Sequence, residues 1–100
     1  MVSVGLLLRL RAKPGREGEL ADLLRGALPL AMQEPETTVW FAVKLDDSTY
    51  GVFDAFPTED GRRAHLDGAI AAALTDKAGD LLAAPPEITP FDVLAAKLPD

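Results

Sequence analysis

The stretch Val2-Ser3-Val4-Gly5-Leu6-Leu7-Leu8-Arg9-Leu10-Arg11-Ala12 decides the fold. Side chains alternate between the two faces of a strand, so Val2, Val4, Leu6, Leu8 and Leu10 share one face. Leu7 and Gly5 lie on the other, among Ser3, Arg9 and Arg11. A sheet with one wet face alternates cleanly between apolar and polar residues. This strand is apolar on one face and partly apolar on the other, so both faces need cover.

The segments that follow say what can supply it. Lys13-Pro14-Gly15 punctuates the chain, and a helix is expected from about Arg16 to Gln33. Its stripe is Leu20, Leu23, Leu24, Ala27, Leu28 and Ala31, the spacing of one broad helical face. Pro29 is expected to kink or shorten its last turn. After Gln33-Glu34-Pro35-Glu36, a strand is expected over Thr37 to Leu45, with Val39, Phe41, Val43 and Leu45 on one face. Asp46-Asp47-Ser48 breaks it as a hairpin does, and Thr49 to Phe56 returns. Thr58 is a good N-cap for a second helix, with Glu59 and Asp60 favourably placed in its first turn. The stripe of that helix is Leu66, Ala69, Ile70, Ala73 and Leu74, and a shorter helical piece is expected over Asp76 to Ala83. The last strand, Glu87 to Ala95, holds Pro90, which suits an edge.

The order strand, helix, strand, strand, helix, strand makes a ferredoxin-like split βαβ arrangement: α+β, with a four-stranded antiparallel sheet in one domain spanning residues 1–100. Two helices cover one sheet face. A second copy of the chain is the simplest cover for the other, so a homodimer through the open face is expected.

Composition narrows the function. One hundred residues suit a single domain, and a net charge of −6 disfavours nucleic acid and anionic membranes. The absence of cysteine excludes disulfides, thiolate metal sites and a cysteine nucleophile. His65 is the single histidine, so no intrachain site with two imidazoles exists. Charged residues interrupt every apolar run well before the roughly 18–20 residues that a membrane span needs. The chain opens on a strand without a basic leader, and a cytoplasmic location is expected. No phosphate loop, dinucleotide glycine pattern or GxSxG elbow is present, so no cofactor and no metal is expected.

Asp54 is the oddest residue. It lies mid-strand between Phe53 and Ala55, on the face of Val52 and Phe56, where a lone carboxylate is costly. It reads either as an acid/base residue or partner of His65, or as a salt-bridged aspartate paired with Arg9, Arg62 or Arg63. His65 lies on the flank of the second helix beside Ala69 and Ala72 and is the side chain whose unperturbed pKa is closest to neutrality. It reads either as functional or as a solvated boundary residue. Trp40 and Tyr50 stand on neighbouring strands and read as core material or as walls of an aromatic-binding cavity.

Four segments and the lead-in to the last strand carry a resemblance. Lys13-Pro14-Gly15-Arg16-Glu17, Gln33-Glu34-Pro35, Phe53-Asp54-Ala55-Phe56, Ala64-His65-Leu66 and Pro85-Pro86-Glu87-Ile88, in this order, resemble the antibiotic biosynthesis monooxygenase family of dimeric α/β barrels. The likeness runs from about Val2 to Val93. It implies a cofactor-independent monooxygenase that oxidises a small aromatic, quinol or polyketide-like substrate with molecular oxygen. His65 would be the base or anion-stabilising donor, Asp54 would orient it, and Trp40, Tyr50, Phe53 and Ile70 would line the substrate site. The chain departs from the family pattern at Glu36, where a glycine is frequent, and at Ile70-Ala71, where a histidine–aromatic pair is frequent. The haem-degrading branch fits poorly, since its tryptophan falls at His65 and its haem-ligating histidine near Thr75. A small-molecule isomerase on the same scaffold and a non-catalytic dimeric ligand-binding protein are the rival expectations.

Overall fold

The computed structural model describes residues 1–99. Its elements are β1 (Val4–Arg11), α1 (Glu17–Gly26), α2 (Leu28–Met32), β2 (Val39–Lys44), β3 (Thr49–Phe56), α3 (Glu59–Leu66), α4 (Ala69–Leu81) and β4 (Glu87–Asp92). The strands form one sheet in the order β2-β3-β1-β4, and every neighbouring pair is antiparallel. The expected ferredoxin-like α+β arrangement is therefore present. Pro90 sits opposite Leu6 on β4, an edge strand, where its missing N–H is tolerated.

The register sorts the two faces. Leu6 stands opposite Asp54 and Asp54 opposite Trp40, while Leu8, Val52 and Ala42 form the next row of the same face. That face lies under the helices. Leu10, Tyr50 and Val52 pack with Leu20 and Leu24 of α1 in the main core, and Ala27, Ala31 and Ile70 form a smaller cluster. A fully buried leucine contributes roughly 1.5–3 kcal/mol, so Leu10 and Leu20 anchor α1 to the sheet. Arg62 ties α3 to the sheet by donating to the carbonyls of Gly5 and Phe91.

The opposite face carries Leu7, Phe41, Phe53 and Phe91 with no helix above it. The Phe53 and Phe91 rings stack at 5.2 Å, Phe41 follows at 6.3 Å, and Phe41 and Phe53 remain 56% and 39% exposed. These rings form an exposed apolar patch on that face.

Local details correct the expected boundaries. The helix expected over Arg16 to Gln33 is two helices that meet at Ala27. Pro29 does not kink the end of one long helix; it sits in the first turn of α2, where its missing N–H would have no intrahelical partner. The second helix breaks at Asp67-Gly68, and α4 runs unbroken from Ala69 to Leu81, so there is no separate piece over Asp76 to Ala83. β1 begins at Val4 and β4 stops at Asp92. Thr58 caps α3 as expected, its hydroxyl oxygen accepting the Gly61 N–H at 3.1 Å. Among the described residues no helix is long and apolar enough to cross a membrane.

Candidate functional site

β3 presents Asp54 to the helix side of the sheet, and the Thr58 cap starts α3 so that His65 falls in its last turn. Asp54 is 2% exposed and His65 7%. The two meet: His65 Nε2 lies 2.9 Å from Asp54 Oδ2. The other ring nitrogen, Nδ1, lies 2.6 Å from Glu34 Oε1, which reaches in from the loop between α2 and β2. Thr37 fixes that carboxylate from behind, donating its hydroxyl to Glu34 Oε1 at 2.6 Å. The Phe56 ring covers the imidazole at 5.3 Å between centroids. Arg62 and Arg63, the other possible partners of Asp54 on α3, are not its partner; Arg62 pairs with Glu59 instead.

A carboxylate therefore stands at each edge of the imidazole. A neutral imidazole has one N–H to donate. With both nitrogens against carboxylate oxygens, the ring is satisfied as an imidazolium. Burial alone lowers the His65 pKa, but the hydrogen bonds to Asp54 and then Glu34 outweigh it, and the net shift is upward from the ordinary histidine value.

Beside this relay lies a cavity of about 100 Å³ between the sheet and the paired helices α3 and α4. Its walls are mostly apolar: Leu6, Val52 and Ile70 are buried, Leu74 is half-buried, and Leu66 and Ile88 are exposed. The volume is below the roughly 150 Å³ of an engineered cavity that accepts benzene. Its enclosed part is too small for several fused rings. Among the described residues no group of three or more acidic or histidine side chains converges on a cation position; the two carboxylates sit at opposite edges of the ring.

Of the residues expected at the site, Asp54, His65 and Ile70 line this cavity, and Ala71 joins them. The others do not. Trp40 faces the same side as Asp54 but packs against the two core clusters, its indole Nε1 buried without a partner. Tyr50 is a member of the main core. Phe53 lies on the opposite sheet face, stacked on Phe91. Strand periodicity places large aromatics on a face but not over a cavity. Glu34 is the residue that the sequence reading passed over, because its loop reads as a solvated turn. Its one signal is the acidic side chain beside Pro35 in a segment that carries the family resemblance.

Fold and site together define a ferredoxin-like α+β protein with a buried acid–imidazole–acid relay beside a small apolar cavity. No family model matches the chain, and no curated protein matches it. Solved structures do. The NE2512 protein of unknown function from Nitrosomonas europaea is 57% identical, with a TM-score of 0.98 over 100% of this chain and 97% of that one. A candidate antibiotic biosynthesis monooxygenase from the same organism superposes with a TM-score of 0.82 at 16% identity, covering 92% of this chain and 90% of that one. Another, from Caulobacter crescentus CB15, gives 0.73 at 20% identity, covering 94% and 92%. The chain belongs to the family of the NE2512 protein of unknown function, and it shares its ferredoxin-like fold with the two candidate monooxygenases. At the lower identities the likeness is one of fold.

Proposed function

We propose that this protein is a cofactor-independent monooxygenase acting on a small aromatic, phenolic or enolic substrate. The observation that carries the reading is the Glu34–His65–Asp54 relay, buried at the side of an apolar cavity. Such a relay takes a proton from an acidic O–H or C–H group. The substrate anion then gives an electron to dioxygen, and the radical pair combines to a hydroperoxide. Loss of water leaves a carbonyl, so that a CH2 group and O2 become C=O and H2O. Asp54 and His65 handle the proton together in this reading, and Ile70 forms an apolar wall. A second copy of the chain covers the open sheet face, with Phe41 and Phe53 at the contact.

Oxygen uptake in the presence of small quinols and enolisable ketones, wild type against His65→Ala, tests the reading. Uptake that needs both the substrate and His65 supports it; uptake no faster than the uncatalysed rate speaks against it. The size of the cavity favours one second reading, a proton-shuttling isomerase for a molecule smaller than a fused-ring system. Turnover that persists without oxygen would select it.

A further inference from the structure

Three polar side chains line the cavity: Asp54, His65 and Thr75. The Thr75 hydroxyl is spent on the carbonyl of Ala71, to which it donates at 2.9 Å. Both nitrogens of His65 are spent on carboxylates. Asp54 is different, because Oδ2 meets His65 while Oδ1 is buried with no partner among the described residues. A buried acceptor left unpaired is costly and is matched by a partner that brings a donor. The relay also has a sign: two carboxylates and one imidazolium leave it net negative, in a chain of charge −6. An anionic ligand group would meet repulsion there.

We propose that Asp54, through Oδ1, is the group that touches the substrate, that His65 is a positioning residue locked between Asp54 and Glu34, and that the ligand is an uncharged molecule presenting one acidic hydroxyl. The inference rests on the acid–base reading above and deepens it by naming the contact atom and the ligand class. The step given to Asp54 is a proton transfer alone. The substrate O–H bond breaks, the Oδ1–H bond forms, and the electron pair stays on the substrate oxygen. The imidazolium behind Asp54 offsets the charge of the anion that results. Glu34, from the loop before β2, and Asp54, from β3, are the charged groups that raise the His65 pKa.

Two readouts test this without turnover. The first is fluorine NMR titration with 4-fluorophenol, 4-fluorobenzoate and fluorobenzene. The expected result is binding of the phenol at least tenfold tighter than either of the others, with the preference lost in Asp54→Asn, which keeps the shape but turns an N–H toward the ligand. Benzoate or fluorobenzene binding as tightly as the phenol overturns the proposal, as does an unchanged preference in Asp54→Asn. The second uses the fact that His65 is the only histidine. Nitrogen-15 spectra should show both ring nitrogens protonated at neutral pH in the wild type, and Glu34→Gln should lower the pH at which they titrate. A neutral single tautomer in the wild type, or an unmoved titration in Glu34→Gln, overturns the locked role of His65. This variant leaves the cavity wall intact and serves if Asp54→Asn fails to fold. Failure of oxygen uptake alone would touch the monooxygenase reading and leave these outcomes unaffected.

Discussion

Glu34 Oε1 lies 2.6 Å from His65 Nδ1, so a loop carboxylate before β2 grips the last turn of α3. The break between α3 and α4 makes room for it. A Cβ at Gly68 would stand 3.2 Å from Glu34 Oε2 and 3.2 Å from the carbonyl oxygen of His65. The same break that sequence periodicity runs through is thus the place where the carboxylate fits.

Removing His65 should destabilise the fold as well as silence the site. His65→Ala leaves the Asp54 carboxylate, 2% exposed, without its cationic partner. Breaking a buried pair in this way costs about 3 kcal/mol or more. Urea denaturation should show the midpoint falling accordingly, and a midpoint equal to wild type would mean that the pair contributes nothing net.

Stability should also depend on pH through this one imidazole. The folded His65 pKa lies above its unfolded value. The native state therefore holds the proton more tightly, and the stabilisation is fully present below the unfolded pKa of about 6.5. It is lost as pH rises through the raised folded value. Urea midpoints measured upward from about pH 6 should fall in the wild type and lose that component of slope in His65→Gln. Parallel profiles for the two proteins would contradict the assignment.

The strands were legible because period-two patterning and burial agree along β1 and β3. The expected bounds of β3, Thr49 to Phe56, match the observed ones, and Asp54 stood out because a carboxylate interrupts an apolar face. Helix breaks were less legible. Ala69 and Ile70 continue the stripe of Leu66, so the apolar pattern alone hides the interruption at Asp67-Gly68. The contact between His65 and Asp54 depends on how α3 lies over the sheet, which no local pattern encodes. Glu34 needed the loop's path in three dimensions. Phe53 has the composition of a cavity wall, yet its side chain alternates onto the opposite face from Asp54, a consequence of strand geometry already present in the sequence.

Gly5 should be intolerant of a side chain. A Cβ there would collide with the Phe91 ring and stand 2.5 Å from the backbone oxygen of Asp54. The ring can swing, but the β3 backbone that carries Asp54 cannot move freely within the ladder. Gly5→Ala should cost roughly 3 kcal/mol, the upper end for overpacking, and should also shift the nitrogen-15 signals of His65. Near-wild-type stability with unchanged signals would show that Phe91 alone absorbs the methyl group.

The open sheet face gives the last expectation. Phe41 and Phe53 are exposed beside Leu7 and Phe91, although Val52 and Asp54, which flank Phe53 on the helix side, are buried. Stable association between copies needs roughly 800 Å² of buried surface from each partner, and the face of a four-stranded sheet is the natural source of it here. Phe53→Lys places a charge at the centre of that patch, away from the cavity and from the main core. Sedimentation equilibrium at micromolar concentration should show a dimer for the wild type and a folded monomer for Phe53→Lys. A wild-type monomer would remove the second copy from the account, and a variant that stays dimeric would move the interface to another surface.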